Sequence, residues 1–522
     1  MRGGLVLATT VLLLTMCRIA CASPLAGIYT YHYDNSRDGQ NLNETVLTPA
    51  NVSPSGFGKL FARAVDGYVY AEPLYVQSVQ IPKLGTREVV YVATEHDSVY
   101  AFDATGARAA PFWHVRFLSK RPRVTSVTPA QVGSPNISPE IGITGTPVID
   151  PSSGTLYVAA KTFEKPNFVY RLHALDIATG AERFSGPVVI AATAPGTGGA
   201  SAIGSITFDA HIANQRSGLT LSNGVVYLPF ASHGDNGNYH GWILGYDAST
   251  LEQVSSFIDT PNGTLGGIWM SGGAPAVDSD GNLVLATGNG SFDVDQGDID
   301  YGDSVLKLGP TGMSNLDVID YFTPFDQLAL ASLDLDLGSG GVLLLPEQAS
   351  GPLHLAFTGG KEGTLYLIDA DNMGHYNSTD NSQIVQSVMG EVPSVFSTPA
   401  YFNGTIYLNA EGDNLKAYTL SNGQLSTSPT MQTNTFFDYP GVTPAISANG
   451  SQNGIVWAIG NSTEAVLYAY DASNLGTPLY NSHQRPRDRM NGYVGFTVPT
   501  VANGRVFVGT QKRLTVYGLL KH

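Results

Sequence analysis

Eight short apolar strands ending in Tyr, Phe or Trp recur along the chain, most of them followed by a polar turn and a second strand. The clearest copies occupy residues 89–106, 155–180 and 364–374. An apolar β repeat of this kind is typical of small sheets arranged around an axis. It predicts an all-β fold in which each unit needs its neighbours to bury its apolar faces.

Each unit of the repeat has recognisable boundaries. Proline opens many of the first strands, where its missing N–H costs no ladder hydrogen bond, and Asp-Gly or Asn-Gly turns favour tight hairpins. The pattern predicts three- or four-stranded antiparallel meanders whose third strand often ends in Asp. The prolines are Pro73, Pro147, Pro275, Pro399, Pro444 and Pro499, and the aspartates are Asp103, Asp176, Asp247, Asp369 and Asp471.

The unit starts predict an eight-bladed β-propeller of four-stranded antiparallel blades. They fall near residues 70, 142, 219, 268, 340, 395, 441 and 496. A seven-bladed ring is the alternative, because the fifth start is weakly marked. The last unit ends almost at the C-terminus, so we expect an N-terminal strand at residues 58–64 to complete it. Closure of the ring in this way removes open sheet edges.

The first 22 residues have the pattern of a secretory signal: Arg2, an apolar stretch, and the small-residue sequence Ala20-Cys21-Ala22. We therefore expect a signal peptide at residues 1–22, a single propeller domain at residues 23–522, and a secreted protein. Both cysteines, Cys17 and Cys21, fall within the signal. The mature chain would then have no disulfide and no Cys-x-x-Cys-His attachment site for haem.

Charge and sequons narrow the range of partners. The formal net charge is −16, and an acidic surface disfavours nucleic acids and anionic membranes, which attract basic patches. The expected partner is a small-molecule substrate, and the oligomeric state is left open. Asn-x-Ser/Thr sequons in a secreted chain predict a glycoprotein. They begin at Asn43, Asn51, Asn136, Asn262, Asn377, Asn403, Asn449 and Asn461, with a ninth at Asn289.

The repeat also carries a family resemblance. The sequence Tyr-Ala-Phe-Asp-Ala-Thr-Gly at residues 100–106 and its relatives along the chain resemble the repeat of pyrroloquinoline quinone (PQQ) dehydrogenases. Residues 266–293, 320–336 and 359–369 are similar to family segments that line the cofactor site. The chain is identified as a divergent, secreted fungal-type member of the quinoprotein alcohol dehydrogenase-like β-propeller superfamily.

The resemblance implies a cofactor platform and a catalytic base. Trp269 would lie beneath the quinone, because a flat aromatic ring supports a flat cofactor. Lys361 would contact the quinone oxygens as a cation. The base that removes the alcohol proton would be Asp334 or Asp336, which alternate with leucines and are expected on one face of a strand.

The resemblance further implies a calcium ion, which needs several hard oxygen ligands and acts as a Lewis acid on the quinone. Asn289 stands where the family has its calcium-binding Asn. Asn236 stands where the family has its second ligand, a Glu, and Asp235 is adjacent. PQQ and calcium are therefore the predicted cofactors.

A polar cluster in the third unit is unusual in a chain with 11 histidines. His211, Arg216, His233 and His240 lie within about 30 residues of one another. One interpretation places them at the mouth of the central funnel, where they bind a metal or orient a substrate. The other makes them turn residues whose polar groups are satisfied within the fold.

Three functional hypotheses follow from these features. The first is a quinoprotein-like oxidoreductase that oxidises an alcohol or sugar in the central funnel and passes electrons to an external acceptor, since no haem site is present. The second is a cofactor-free propeller that binds a small molecule and catalyses a cyclisation or similar step of secondary metabolism with the histidine–arginine cluster. The third is a non-catalytic scaffold. Fold alone does not decide between them.

Overall fold

The computed structural model describes residues 26–121, 123–311, 315–460 and 463–521. The predicted signal peptide and the sequon at Asn461 lie outside the described residues. Nearly all the regular structure is β, and it forms an eight-bladed propeller. The predicted fold class is therefore confirmed, and the seven-bladed alternative is wrong.

The blades are numbered in chain order, and most begin with a short inner strand. Blade 1 contains Leu74–Ile81, Gly85–Thr94, Ser98–Asp103 and Trp113–Arg116; blade 2 contains Val148–Asp150, Thr155–Glu164, Asn167–Asp176 and Val188–Val189; blade 3 contains Thr220–Ser222, Val225–Ser232, Trp242–Asp247 and Gln253–Ile258; blade 4 contains Ala276–Val277, Leu283–Ala286, Val305–Thr311 and Asn315–Thr323. Blade 5 contains Leu343–Leu344, Leu355–Gly359, Leu365–Asp369 and Gln386–Val388; blade 6 contains Ala400–Phe402, Thr405–Leu408, Asp413–Ser421 and Met431–Phe437; blade 7 contains Ala445–Asn449, Gln452–Gly460, Val466–Asp471 and Tyr480–Asn481; blade 8 contains Thr500–Ala502, Arg505–Leu519 and Phe57–Tyr68.

Short elements lie between and beside the blades. Two α-helices and four 3-10 helices are present in the described chain, none of them long and apolar enough to cross a membrane. The helices are Pro129–Val132, Gln327–Leu333, Met270–Gly272, Val294–Gln296, Leu337–Ser339 and Pro486–Asp488. The remaining strands are Gly27–Ile28, Gln40–Asn41, Ser119–Lys120, Arg123–Ser126, Thr193–Pro195, Ser205–Thr207, Ala213–Asn214, His375–Tyr376 and Gln424–Leu425.

Blade 8 joins the two ends of the described chain. Phe57–Tyr68 pairs antiparallel with Arg505–Leu519, with Phe57 opposite Leu519. Residues 58–64, where the sequence predicts a closing strand, lie inside Phe57–Tyr68. The ring is therefore closed by hydrogen bonds between an N-terminal strand and the last strand of the described chain, which removes an open sheet edge in blade 8.

The apolar core is divided into layers that lie between neighbouring blades. One layer packs Tyr157 of blade 2 against Phe230 and Trp242 of blade 3. Another packs Phe57 of blade 8 against Trp457 of blade 7. Because each layer takes side chains from two blades, no blade can bury its apolar faces alone, as expected for a repeat architecture.

The tyrosine of the repeat forms hydrogen bonds between neighbouring blades. In three blades its hydroxyl donates a hydrogen bond to a main-chain carbonyl of the next blade, always the residue that follows the terminal Asp of a strand. These bonds are Tyr91–Ile177 (2.9 Å), Tyr157–Ala248 (2.5 Å) and Tyr407–Ala472 (2.7 Å). Trp113 donates to the same Ile177 carbonyl, at 2.9 Å. Tyrosine thus provides an inter-blade bond in these three blades, joined in blade 1 by Trp113.

The aspartates that end these strands shape the turns after them. Each accepts a hydrogen bond from the main-chain N–H two residues further on, the Asx-turn arrangement. The distances are 2.8 Å for Asp103, 3.0 Å for Asp176, 2.8 Å for Asp247, 3.0 Å for Asp369 and 2.8 Å for Asp471.

Residues 29–39, which we call the plug, hydrogen-bond to the inner strands of the propeller. Main-chain carbonyls of the plug accept N–H groups from five blades, in the pairs Ile149–Tyr29 (2.7 Å), Val277–Asn35 (2.7 Å), Leu344–Ser36 (2.8 Å), Tyr401–Asp38 (2.8 Å) and Ile446–Gly39 (2.7 Å). Blades 1, 3 and 8 are reached by the bonds His32 N–Glu72 (2.8 Å), Asn35–Leu221 (3.0 Å) and Val501 N–Tyr33 (3.0 Å). All eight blades therefore contact one segment of 11 residues at the axis.

Arg37 holds the plug in its folded shape. The side chain is fully buried, yet its five N–H groups make six donor–acceptor contacts of 2.8–3.1 Å with five acceptor atoms, so that some bonds share an N–H. The acceptors are the carbonyls of Tyr31, Asp34 and Pro275 and the hydroxyls of Thr30 and Thr220. A buried charge is tolerated when its donors are satisfied in this way.

We predict that Arg37→Met lowers the free energy of unfolding by about 3 kcal/mol or more, because several buried acceptors would lose their donors together. Urea denaturation followed by tryptophan fluorescence measures the loss. The control is Arg87→Met, since Arg87 is exposed and its side chain is bonded only to the neighbouring Thr86 carbonyl. An Arg37→Met protein as stable as the control would contradict the role assigned to the plug.

Candidate functional site

A cavity of about 370 Å³ lies on the propeller axis. This volume is within the roughly 300–1,000 Å³ typical of small-molecule sites. Every blade contributes to the lining with residues that precede its first strand. In chain order they are Tyr70, Ile137, Arg216, Trp269 and Ser271, Asp336 and Ser339, Phe396, Tyr439 and Phe496. We call this space the central cavity.

The plug lies at one end of the central cavity. It bonds to inner-strand residues that follow the lining residues by a few positions, for example Tyr401 after Phe396 and Val501 after Phe496. Tyr31 of the plug is buried and donates a hydrogen bond of 2.9 Å to Thr398. The plug therefore lies next to the cavity but contributes no residue to its lining.

Four of the predicted site residues meet at one wall. The ammonium of Lys361 lies 2.8 Å from the carboxylate of Asp334 and is also paired with that of Asp336. Asn289 donates to both carboxylates, through its main-chain N–H to Asp336 (2.7 Å) and through its side-chain amide to Asp334 (2.9 Å). The chain thus gathers Asn289, Asp334, Asp336 and Lys361 from blade 4 and blade 5 into one hydrogen-bonded cluster, the Lys361 cluster.

The two aspartates of this cluster are not on a strand, so the strand expected from their alternation with leucine is wrong. Asp334 caps the C-terminus of Gln327–Leu333 in the left-handed conformation, with φ at 57°, and Asp336 caps the N-terminus of Leu337–Ser339. The side chain of Asp334 is 67% exposed, that of Asp336 only 10%. Of the two, Asp336 lines the cavity.

Burial and charge act in opposite directions within the Lys361 cluster. Burial raises the pKa of Asp336, and Lys361 lowers it in part. For Lys361, burial lowers the pKa, but Asp336 and Asp334 outweigh that effect and raise it to about 12. Asp303 lies behind the cluster, where its carboxylate accepts the Leu337 N–H at 3.1 Å and burial raises its pKa well above the ordinary value. The Lys361 ammonium thus stabilises the charged forms of several neighbouring carboxylates.

Trp269 forms the neighbouring part of the wall. Its indole meets the ring of Tyr239 edge-on, with ring centres 6.2 Å apart and an interplanar angle of 81°. Gly288 lies between the indole and the carboxylate of Asp336: a methyl group there would clash with Asp336 and lie 2.9 Å from Trp269 Cδ1. The glycine therefore permits the aromatic platform and the carboxylate to sit side by side.

The predicted calcium ligands have unequal surroundings. The side-chain oxygen of Asn289 is buried and has no hydrogen-bond partner. Asp235 accepts a hydrogen bond of 2.7 Å from Tyr239, while the Asn236 amide donates to the carbonyls of Gly133 (3.2 Å) and His233 (2.9 Å). No group of three or more His, Cys, Asp or Glu in the described chain is arranged to hold a metal ion.

The four residues of the predicted histidine–arginine cluster do not meet at the central cavity. His233 is buried, and its Nε2 accepts a hydrogen bond of 2.7 Å from Lys161; burial and this lysine lower the pKa of His233 to about 2. His211 is exposed and bonds to the Gln131 carbonyl at 2.8 Å. His240 bonds to Thr260 and Gly199. Of the four residues, only Arg216 lines the central cavity.

The aromatic residues of the cavity were not predicted from the sequence. Phe396, Tyr439 and Phe496 form a continuous arc, with ring centres 5.4 Å and 6.3 Å apart. A signal was present in the sequence: Tyr70, Phe396 and Phe496 each stand three positions before the proline that opens a blade. An aromatic at that repeated position marks the axis-facing end of an inner strand.

Comparisons with known proteins agree with the fold. No protein-family model matches the chain, and no curated protein matches it. Among solved structures, a quinohaemoprotein alcohol dehydrogenase from Pseudomonas putida is similar at 13% identity and a TM-score of 0.59, over 94% of this chain and 80% of that one. A europium-containing methanol dehydrogenase is similar at 12% identity and a TM-score of 0.60, over 95% and 98%. BamB from Moraxella catarrhalis is similar at 11% identity and a TM-score of 0.53, over 88% and 99%.

These likenesses show the architecture of quinoprotein dehydrogenases. At such low identity they do not assign an activity, because one fold hosts many functions. Function must therefore be argued from the chemistry of the central cavity.

Proposed function

We propose that the protein is a quinoprotein-type oxidoreductase that oxidises an alcohol or sugar hydroxyl in the central cavity. The observation that carries the proposal is the Lys361 cluster beside Trp269. Residues from separate blades place a buried carboxylate, a cation and a flat aromatic ring on one wall. A site of this composition combines general-base, electrostatic and stacking functions.

A quinone fits this wall. Trp269 offers an indole face for stacking, and Lys361 offers an ammonium beside it for the quinone oxygens. Calcium fits less well. The unpartnered Asn289 oxygen is a suitable hard ligand, but the carboxylates next to it already bind Lys361, and the Asn236 amide is engaged with main-chain carbonyls. The proposal therefore assigns PQQ to Trp269 and Lys361 and gives calcium no step of its own.

Asp336 is the base in this proposal. Oxidation of an alcohol to a carbonyl removes the hydroxyl proton and a hydride from the carbinol carbon. Asp336 takes the proton, since it lines the cavity and its raised pKa makes it a better base than an ordinary aspartate. A bound quinone supplies the acceptor for the hydride. Electrons then pass to an external acceptor.

Secretion and glycosylation belong to the same proposal. The side chains of Asn43, Asn136, Asn403 and Asn449 are exposed, which makes them suitable acceptors for a glycan. Asn289 is buried within the Lys361 cluster. We therefore propose that the sequon at Asn289 is left unmodified.

One observation favours a second candidate, a cofactor-free enzyme. Asp336 and Lys361 already form an acid–base pair within an aromatic cavity, so proton transfer on a bound small molecule needs no further group. In this case the protein would transform its substrate without a net change of oxidation state. The electron acceptor distinguishes the two candidates, because only the first reduces a dye.

We predict that the purified protein takes up PQQ and reduces an artificial dye in the presence of an alcohol or sugar substrate. Asp336→Asn should retain PQQ and lose roughly 100-fold or more of the turnover, the range for removal of a general base. Asp334→Asn should lose less, because Asp334 does not line the cavity. The control is Asp280→Asn, in an exposed turn.

The readouts are the absorbance of PQQ retained after desalting and the rate of dye reduction, each with and without added calcium. Absence of PQQ uptake at micromolar cofactor would reject the quinoprotein proposal. Equal turnover in Asp336→Asn and Asp280→Asn would reject Asp336 as the base.

We predict that Lys361→Met shifts the acid limb of the pH–rate profile to higher pH. Asp336 must be ionised to act as a base, and Lys361 lowers its pKa. Without the lysine the pKa rises further, so activity is lost earlier as the pH falls. Lys120→Met, which removes an exposed lysine, is the control. A limb that stays in place or moves to lower pH would contradict the assignment.

A further inference from the structure

Arg216 is a buried cation without a counter-ion. Its exposed fraction is 8%, and it makes no hydrogen bond or ion pair with any residue of the described chain. Its Nη2 atom is fully buried and unpartnered. Burial lowers the pKa of Arg216, but a guanidinium keeps its charge in proteins. The charge therefore lies in the cavity wall without a direct ion pair among the described residues.

Other buried or partly buried cations of this protein have polar partners within the chain. Arg37 makes six donor–acceptor contacts, and Lys161 donates to two carbonyls and to His233 at 2.7–3.1 Å. Lys361 is paired with two carboxylates. Because burying an unpaired charge is costly, the exception at Arg216 points to a partner that is not part of the chain.

The residues around Arg216 indicate the chemical class of that partner. The guanidinium lies 4.5 Å from the ring centre of Phe496 and 5.7 Å from that of Tyr70, so aromatic faces flank it. The arc of Phe496, Tyr439 and Phe396 continues from this point around the cavity. A ligand anchored at Arg216 would therefore extend its apolar part along aromatic rings.

Glu95 attracts Arg216 electrostatically but forms no direct ion pair with it. Glu95 is buried, and one of its carboxylate oxygens accepts hydrogen bonds from Gly142 (2.7 Å) and Thr144 (3.1 Å). Burial raises the pKa of Glu95 to about 7, so at neutral pH its charge is only partly formed. Asn214, which also lines the cavity, has an unpartnered buried oxygen that can accept a ligand hydrogen bond.

We propose that the central cavity recognises a flat aromatic carboxylate, with Arg216 binding the carboxylate and Phe396, Tyr439 and Phe496 contacting the ring. The planar fork of a guanidinium matches a carboxylate with two parallel hydrogen bonds. The binding of an aromatic carboxylate at Arg216 does not require the quinone. The further statement that the oxidised substrate is a hydroxylated aromatic acid rests on the proposed function.

The test measures binding of 2-naphthoate and its neutral analogue 2-naphthamide by isothermal titration calorimetry, with no quinone added. We expect naphthoate to bind at least tenfold more tightly than naphthamide. Arg216→Met should lower the naphthoate affinity by roughly 10- to 100-fold, the range for a lost charge-assisted hydrogen bond, and leave the naphthamide affinity unchanged. Arg216→Lys should recover part of the loss, and Arg87→Met is the charge-matched control.

A second measurement separates ligand binding from a structural role. If Arg216 serves only a ligand, Arg216→Met removes an uncompensated charge, and the ligand-free protein should melt at or above the wild-type temperature. Naphthoate should raise the melting temperature of the wild type and not of the variant. A variant that melts well below the wild type would show a structural role and overturn the inference.

Equal affinity for naphthoate and naphthamide would also overturn the inference. These outcomes are independent of the proposed oxidation. If the protein binds naphthoate more tightly than naphthamide through Arg216 but takes up no PQQ, the quinoprotein proposal alone is rejected. Uptake of PQQ and dye reduction without such discrimination would reject the aromatic carboxylate alone.

Discussion

The hydrogen bonds between the plug, residues 29–39, and the inner strands are the constraint on which the rest of the structure depends. Five carbonyls of one segment accept N–H groups from five different blades, and side chains reach the other three. The plug fixes how the blades meet at the axis, next to the central cavity. Arg37, buried and fully bonded, keeps the segment in the shape that permits this.

Contacts between blades complete the ring. Hydroxyls of repeat tyrosines bond to the next blade, and apolar layers fill the spaces between blades. Within this framework, the segments before the first strands bring Trp269, Asp336 and Arg216 to one cavity, and short 3-10 helices begin directly after Trp269 and Asp336. The site contains two kinds of cation: Lys361 is compensated by carboxylates, and Arg216 is not. Lys361, which is paired with carboxylates of the chain, is suited to a catalytic cluster. Arg216 is suited to the recognition of a ligand.

The repeat predicted the propeller because its tyrosines, prolines and aspartates have structural tasks that recur in several units. Individual site residues were harder to predict. Asn289, Asp336 and Lys361 came from a resemblance, and the structure brings them together, but alternation with leucine suggested a strand where Asp334 and Asp336 cap helices. Proximity in sequence misled for His211, His233 and His240, whose rings point to different partners. The plug has no repeat and no motif, so nothing in the sequence indicated it.

The central claim is that the propeller axis holds the binding site, with Trp269 and Lys361 on the cofactor wall. The most direct measurement is an experimental structure of the protein prepared with saturating PQQ and calcium. The account predicts density for a flat quinone in the central cavity, stacked on the Trp269 indole and in contact with the Lys361 ammonium. Density for the quinone elsewhere, or a central cavity without it under saturating conditions, would contradict the account.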